Sequence, residues 1–249
     1  MMNIQEINSH FRIDGRFASA TTIGSGHIND SWLVITNGLN VGATGPVAIT
    51  EYVLQRINKN IFKNIPELTN NILKVTGHLR LKSLNFSPAF QTYQIIRLIP
   101  AISGEYFYLD PGGNYWRLYN HVTGSRSYDV VENPQMAYEA GKAFGLFQHL
   151  TADMDATTLF EVLPGFHNIA KRLADFRKTV SLDPVSRVAE VAEEINFVES
   201  RAGEMHTILR LGEQGKIPVR VTHNDTKCNN VLFNQENQAI AVVDLDTMM

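Results

Sequence analysis

Cysteine is nearly absent: Cys228 is the one thiol in 249 residues, so no disulfide can close within the chain, and this usage fits a reducing cytosol. Long apolar runs are missing as well. None approaches the ~20 residues a bilayer-spanning helix needs, which excludes a membrane-spanning reading. The first residues, MMNIQEINSHF, do not join a basic region to an apolar stretch, and this argues against a secretory leader. Charge of one sign is never concentrated. The formal net charge is −3 and no basic stripe is visible, so a nucleic-acid binder is not expected. There is no G-x-S-x-G and no recognisable base beside Cys228, which weakens a hydrolase reading. Internal repeats and low-complexity segments are also lacking. What is present is 44% apolar residues, enough for one large domain or two modest lobes.

Read in order, the first half is a strand pattern carrying one helix. Residues 1–18 form a short lead-in. Thr21–Ile23 enters Gly24-Ser25-Gly26-His27-Ile28-Asn29-Asp30, and Ser31–Thr36 follows as a strand. Two glycines between strands allow close backbone approach to an anionic ligand, and a tight hairpin turn is the competing reading. Val47–Ile57 is a strand whose alternation sets Tyr52, Leu54 and Arg56 on one face and Val53, Gln55 and Ile57 on the other. Pro66 opens a helix to about Leu84, buried through Leu68, Ile72, Val75 and Leu79. Ala89–Ile99, Glu105–Leu109 and Tyr115–Tyr119 are further strands, the last two flanking the turn Asp110–Asn114. A polar connector, His121–Asp129, marks a boundary near residue 122.

The pattern then becomes helical over Pro134–Thr151 (Ala137, Ala140, Phe144 and Phe147 on one face), Gly165–Val180 and Val185–Leu211. The expected architecture is α+β: an antiparallel sheet lobe over residues 1–122 and a mainly helical lobe over 123–249.

The stretch Val219–Thr247, VRVTHNDTKCNNVLFNQENQAIAVVDLDT, organises the rest. It reads as an apolar strand, a polar loop and two short strands joined by a turn. The loop carries His223, Asp225, Lys227 and Asn230, and the last strand runs into Asp244 and Asp246. Taken singly, each has a bland reading: His223 as a core histidine bonding to backbone, Asp225 as a turn cap, Asn230 as a turn residue, Lys227 as a solvated charge. Their joint spacing, with a carboxylate closing the next hairpin, suits phosphoryl transfer. An aspartate orients and deprotonates a hydroxyl, a lysine neutralises the transferring phosphate, and an asparagine with a later aspartate holds Mg²⁺.

These residues resemble the aminoglycoside phosphotransferase/choline kinase-like kinases, through HNDTKCNNVLF and AVVDLDT with GSGHIND and YVLQRIN upstream. GHIND, LQRIN and HNDTKCNNVLF together look most like the N-acetylhexosamine 1-kinase branch. The resemblance implies a protein-kinase-like pair of lobes with ATP between them. It implies Asp225 as catalytic base, with Lys227 at the place of a catalytic-loop lysine, and Asn230 and Asp244 as Mg²⁺ ligands. Gly24, Ser25, Gly26 and Asn29 would cover the phosphates, and Arg56 would be the strand cation. In protein kinases a helix glutamate pairs with that cation; here Glu67, in the first helical turn, is the only carboxylate on the helix. The implied activity is phosphorylation of a small-molecule hydroxyl, most specifically the anomeric hydroxyl of an N-acetylhexosamine in carbohydrate metabolism. Choline, homoserine or an aminoglycoside is the alternative acceptor, and an inactive nucleotide-binding pseudokinase the alternative class. Relatives continue in helices that wall the acceptor site, so that site is expected to be incomplete in this chain.

Overall fold

The architecture was taken from a computed structural model, which describes residues 3–24, 28–38, 48–85 and 90–249. A short helix, α1 (Ile4–Asn8), precedes three antiparallel strands: β1 (Arg16–Thr22), β2 (Asp30–Asn37) and β3 (Ile49–Ile57). After α2 (Ile65–Ser83) come β4 (Leu98–Ile99), β5 (Tyr108–Leu109) and β6 (Tyr115–Asn120). The sheet order is β1-β2-β3-β6-β4, with β5 on β6, and every pairing is antiparallel. Helix α3 (Pro134–Leu150) then leads to residues 163–220, and the chain closes with the hairpin β7 (Val231–Phe233) and β8 (Ala239–Val242).

Alternation along β3 and β6 produces two chemically different sheet faces. Tyr52 and Leu54 of β3 join Trp116 and Leu118 of β6, Val34, Ile7 and Phe11 in one apolar cluster. The opposite face carries Gln55 and Arg117, which are register partners on β3 and β6. Helix α2 begins as its sequence dictates. Asn64 caps it by accepting from the Glu67 N–H at 3.2 Å, Pro66 sits in the first turn where no backbone donor is needed, and Leu68, Ile72, Val75 and Leu79 are buried.

Two compact units result, Met1–Val162 with Val221–Met249, and Leu163–Arg220. In the first, α3 lies along β8: buried Glu139 accepts the Ala239 N–H at 3.1 Å and holds Lys142 at 2.7 Å. The second is helical, with α4 (Ile169–Leu182), α5 (Ala192–Met205) and α6 (Thr207–Glu213). There Arg177 of α4 pairs with Glu199 of α5 at 2.6 Å.

Several expectations need correction. The apolar strand expected at the start of Val219–Thr247 does not form, and Glu105–Leu109 is a strand only at Tyr108–Leu109. Ala89–Ile99 is not one strand: among the described residues only Leu98–Ile99 pairs in the sheet, because the Gln94 N–H donates instead to the Ile240 carbonyl of β8 at 2.6 Å. Val185–Leu211 is not one helix. A 3₁₀ turn at Val188–Val191 precedes α5, and at His206, between α5 and α6, the ring Nδ1 lies 2.8 Å from the Ala202 carbonyl. The buried face of α3 is rotated from the one expected, running through Met136, Ala140, Ala143, Phe147 and Leu150 and leaving Ala137 exposed.

Asn8 in α1 is fully buried, and among the described residues neither its Oδ1 nor its Nδ2 has a partner. An orphaned buried amide costs roughly 1–3 kcal/mol, and replacement by an apolar group of similar shape removes that cost. Asn8→Leu is therefore expected to raise the unfolding free energy by about 1 kcal/mol. A higher urea midpoint at unchanged m-value would show it, and an unchanged or lower midpoint would refute it.

Candidate active site

Residues 221–230 form an irregular loop laced to the chain's last turn. His223 stands at the junction, fully buried between the rings of Phe144 and Phe147 at 5.3 and 5.8 Å. Its Nε2 lies 2.9 Å from the Val243 carbonyl, and its Nδ1 accepts the Asp225 N–H at 3.3 Å. A carbonyl can only accept, so Nε2 carries the proton and the ring is neutral. One side chain thus links the backbone of Asp225 to that preceding Asp244. Thr247 Oγ1 donates to the His223 carbonyl at 2.6 Å, Asn224 Nδ2 donates to the Thr247 carbonyl at 2.9 Å, and the Val243 N–H donates to the Asn230 carbonyl at 2.9 Å.

Desolvation holds the His223 imidazole below its ordinary pKa, opposed by the hydrogen bond to Val243 and the charge of Asp225. The sign for stability follows. The unfolded chain, with its histidine near 6.5, takes up a proton before the native state does. Stability is therefore lost as pH falls below about 6.5 and levels off below the depressed native value. Urea midpoints from pH 7.5 to 5 should show this slope, and His223→Gln should flatten it; an unaltered slope would refute the assignment.

The Asp225 carboxylate has two unlike oxygens. Its Oδ2 takes hydrogen bonds from Asn230 Nδ2 at 3.0 Å and from Lys227 Nζ at 2.9 Å. Among the described residues no donor reaches its Oδ1. The Asn230 amide also donates to the Asp225 carbonyl at 2.9 Å, so Nδ2 is committed to Asp225 twice. An aspartate pinned through one oxygen and open at the other can receive a hydroxyl in a fixed direction.

Asp244 follows β8 in the left-handed region, at φ 59° and ψ 58°. A non-glycine residue there stays put only when its surroundings over-determine it. Asp244 is exposed, yet neighbouring protein desolvates its carboxyl. The accessible surface decides that a ligand can reach it, while the surrounding protein governs its charge. Desolvation pushes its carboxyl up to about 6, reinforced by Asp246 and opposed by Arg117 and Lys227.

Asp246, two residues on, is only 2% exposed and ion-paired with Arg117, itself 1% exposed. Arg117 grips both carboxylate oxygens, the Nη2–Oδ2 contact measuring 2.9 Å, and gives Nε and Nη2 to Gln55 Oε1 at 3.0 and 2.8 Å. Asn29 Nδ2 adds a third donor to Asp246 at 2.7 Å, and Asn29 Oδ1 accepts the Asn58 N–H at 2.9 Å.

Arg117, Gln55 and Asp246 are absent from the sequence-derived set. Their trace was the alternation of β6, which puts a lone arginine between Tyr115 and Tyr119, together with the Asp-Leu-Asp spacing. Of the set itself, Asp225, Lys227 and Asn230 come together, and the charges of Asp225 and Lys227 are felt at Asp244. Arg56 lies elsewhere. It is half-exposed on the sheet face opposite Gln55 and pairs across the strands with Asp30, its Nε 2.8 Å from Oδ2. Glu67 lies beside Asn70 in the first turn of α2, 3.4 Å away. Asn29 is buried and committed to Asp246 and Asn58, and Gly24 adopts φ 76°; Ser25 and Gly26 fall outside the described residues.

Asn230 and Asp244 offer oxygens alone, a donor set that suits a hard divalent cation. Among the described residues no three His, Cys, Asp or Glu side chains gather as a protein-only cage.

The sequence profile of the phosphotransferase enzyme family matches residues 19–249. The chain belongs to this family. Members of this phosphotransferase family are small-molecule kinases. An aminoglycoside phosphotransferase from Alicyclobacillus acidocaldarius superposes with a TM-score of 0.60 at 13% identity, over 100% of this chain and 67% of that one. A thermostable mutant aminoglycoside phosphotransferase in ternary complex with AMP-PNP and hygromycin B gives 0.51 at 12% identity, over 99% and 72%. An AMP-bound spectinomycin phosphotransferase gives 0.51 at 13%, over 99% and 69%. At such identities the likeness is one of fold, a kinase-like antiparallel sheet with helices. Among the described residues no helix is long and apolar enough to cross a membrane.

Proposed function

We propose that the chain is an ATP- and Mg²⁺-dependent kinase acting on the anomeric hydroxyl of an N-acetylhexosamine. The observation that carries the catalytic part is the open Oδ1 of Asp225, held in direction by the Asn230 and Lys227 contacts at its other oxygen. In this reading residues 1–122 are the nucleotide-binding lobe and residues 123–249 carry the catalytic loop.

When bound, ATP supplies the phosphoryl group and Mg²⁺, held by Asn230 and Asp244, offsets its charge. Asp225 Oδ1 accepts the hydrogen bond of the acceptor hydroxyl, aims its oxygen and takes its proton as the oxygen–phosphorus bond forms and the bond to ADP breaks. Lys227, 2.9 Å from Asp225 in this structure, compensates charge at the transferring group. Gly24 with Ser25 and Gly26 covers the phosphates in this reading, and Asn29, its amide committed to Asp246 and Asn58, contributes by its place in the same stretch. Arg56, in the same reading, is the strand cation, although its partner here is Asp30. Positioning and fixed charge contribute most of the acceleration.

Nucleotide and acceptor are supported by the neighbours bound to AMP-PNP, AMP and hygromycin B, and the amino sugar by the resemblance of GHIND, LQRIN and HNDTKCNNVLF to N-acetylhexosamine kinases. The test is ADP release with Mg–ATP and a panel of N-acetylglucosamine, N-acetylgalactosamine, choline, homoserine and an aminoglycoside. Turnover is expected with an N-acetylhexosamine. Turnover confined to another member would overturn the acceptor; a Mg–ATP thermal shift with no turnover on any would overturn the kinase reading in favour of a nucleotide binder.

A further inference from the structure

Five side chains, Asp246 among them, form one continuous network, buried at Asn29, Arg117 and Asp246 and half-buried at Gln55 and Ser31. Ser31 Oγ receives Gln55 Nε2 at 2.9 Å, Gln55 Oε1 receives Arg117, Arg117 grips Asp246, and Asn29 donates to Asp246 from the end of the glycine-bearing loop. Arg117 spends four of its five N–H groups inside it, two on Gln55 and two on Asp246. No fork remains for a phosphate, so Arg117 can act on the reaction only through what it holds. What it holds lies two residues beyond Asp244, whose left-handed backbone needs outside restraint. Arg56, the expected strand cation, is with Asp30, and Glu67, the expected helix carboxylate, is beside Asn70.

We propose that Arg117, Asp246 and Asn29 are positioning residues that fix Asp244 against the cation and tie the glycine loop to it. The inference rests on the kinase reading above. Asp246 is the junction. Its Oδ1 faces Arg117, and its Oδ2 is shared between Arg117 and Asn29. Asn29 in turn receives the Asn58 N–H just past β3. The turn bearing Asp244, the end of the phosphate loop and two sheet strands therefore share one carboxylate. If that carboxylate shifts, the Asp244 oxygens move relative to Asn230, whose carbonyl is bonded to the Val243 N–H.

The test titrates Mg²⁺ against a fluorescent ATP analogue bound to the full chain, beside a urea midpoint for each protein. The variants are Arg117→Lys, which keeps charge but loses the fork, and Arg117→Met/Asp246→Leu, which replaces the ion pair with apolar bulk. Gln55→Met loosens Arg117 while leaving the pair intact. Removing an outer-shell partner typically costs about 10–100-fold in metal affinity. Arg117→Lys and the double variant are expected to raise the half-saturating Mg²⁺ concentration about tenfold, with metal-free nucleotide affinity within about twofold of wild type. Gln55→Met, the least disruptive, should raise it by a smaller factor. A folded Arg117→Lys or double variant with the wild-type Mg²⁺ midpoint would make the network a folding element only and overturn the proposal. Should both unfold, an unshifted Gln55→Met does the same. A wild-type chain whose nucleotide binding ignores Mg²⁺ would instead bring down the kinase reading, and this inference with it.

Discussion

Asp225→Asn is expected to lower turnover by about 10²–10⁴-fold, the range that a positioned general base contributes. The geometry indicates why so small a change should be so costly. One oxygen of Asp225 faces two donors, Asn230 Nδ2 and Lys227 Nζ. An asparagine there would turn its single oxygen toward those donors and its NH₂ toward the position now held by Oδ1. The acceptor hydroxyl would then meet a donor where it needs an acceptor, and its proton would have no place to go. Nucleotide affinity should stay within about twofold, because in the proposed reading Asp225 touches the acceptor and not the phosphates. Single-turnover rates and equilibrium binding of the ATP analogue, measured on one preparation, separate the two effects. A variant that keeps a tenth or more of the wild-type rate would remove Asp225 from the role of base.

The grouping of Asp225, Lys227 and Asn230 was legible in the sequence because their contacts to one another are local. His223, Asp225, Lys227 and Asn230 lie within eight residues of one another, and several of their mutual contacts form inside that span, although His223 and the Asn230 carbonyl also bond to Val243. Periodicity was legible too: α2 buries the residues its spacing selects, and β3 alternates as expected. What alternation cannot convey is which side of a sheet meets which distant segment. Arg56 and Gln55 sit on opposite faces, and the face that matters became visible only when Arg117 reached Asp246 across 129 positions of chain. The strand expected over Ala89–Ile99 failed for a related reason. Its residues have strand-like composition, but the backbone at Gln94 is engaged by Ile240 from outside the sheet. In the helical unit Leu173 and Ala202 are the most buried residues of α4 and α5, and the helical pattern over Val185–Leu211 did not reveal the break at His206.

Arg117→Met should have the largest effect on stability of any single substitution in the network. Removing one member of a buried ion pair leaves the other charge desolvated without compensation, at a cost of about 3–5 kcal/mol. Here Asp246 would keep only Asn29 as a side-chain donor, at 2% exposure. Its negative charge would also stand uncompensated beside the Asp244 carboxyl, which Asp246 already pushes up and Arg117 holds down. Burial raises the neighbouring Tyr119 phenol, and the loss of Arg117 removes the cation that opposes that rise, 5.1 Å from the ring. Adding Asp246→Leu should restore at least about half of the lost stability, because a pair replaced together by apolar groups leaves no orphaned charge. Recovery would fall short of complete, since Gln55 Oε1 and Asn29 Nδ2 lose their partners. The double-mutant cycle in urea reads the coupling directly. Strict additivity, with the double variant as unstable as the sum of the singles, would mean that Arg117 and Asp246 are held independently and that their contact does not tie the sheet to the turn bearing Asp244.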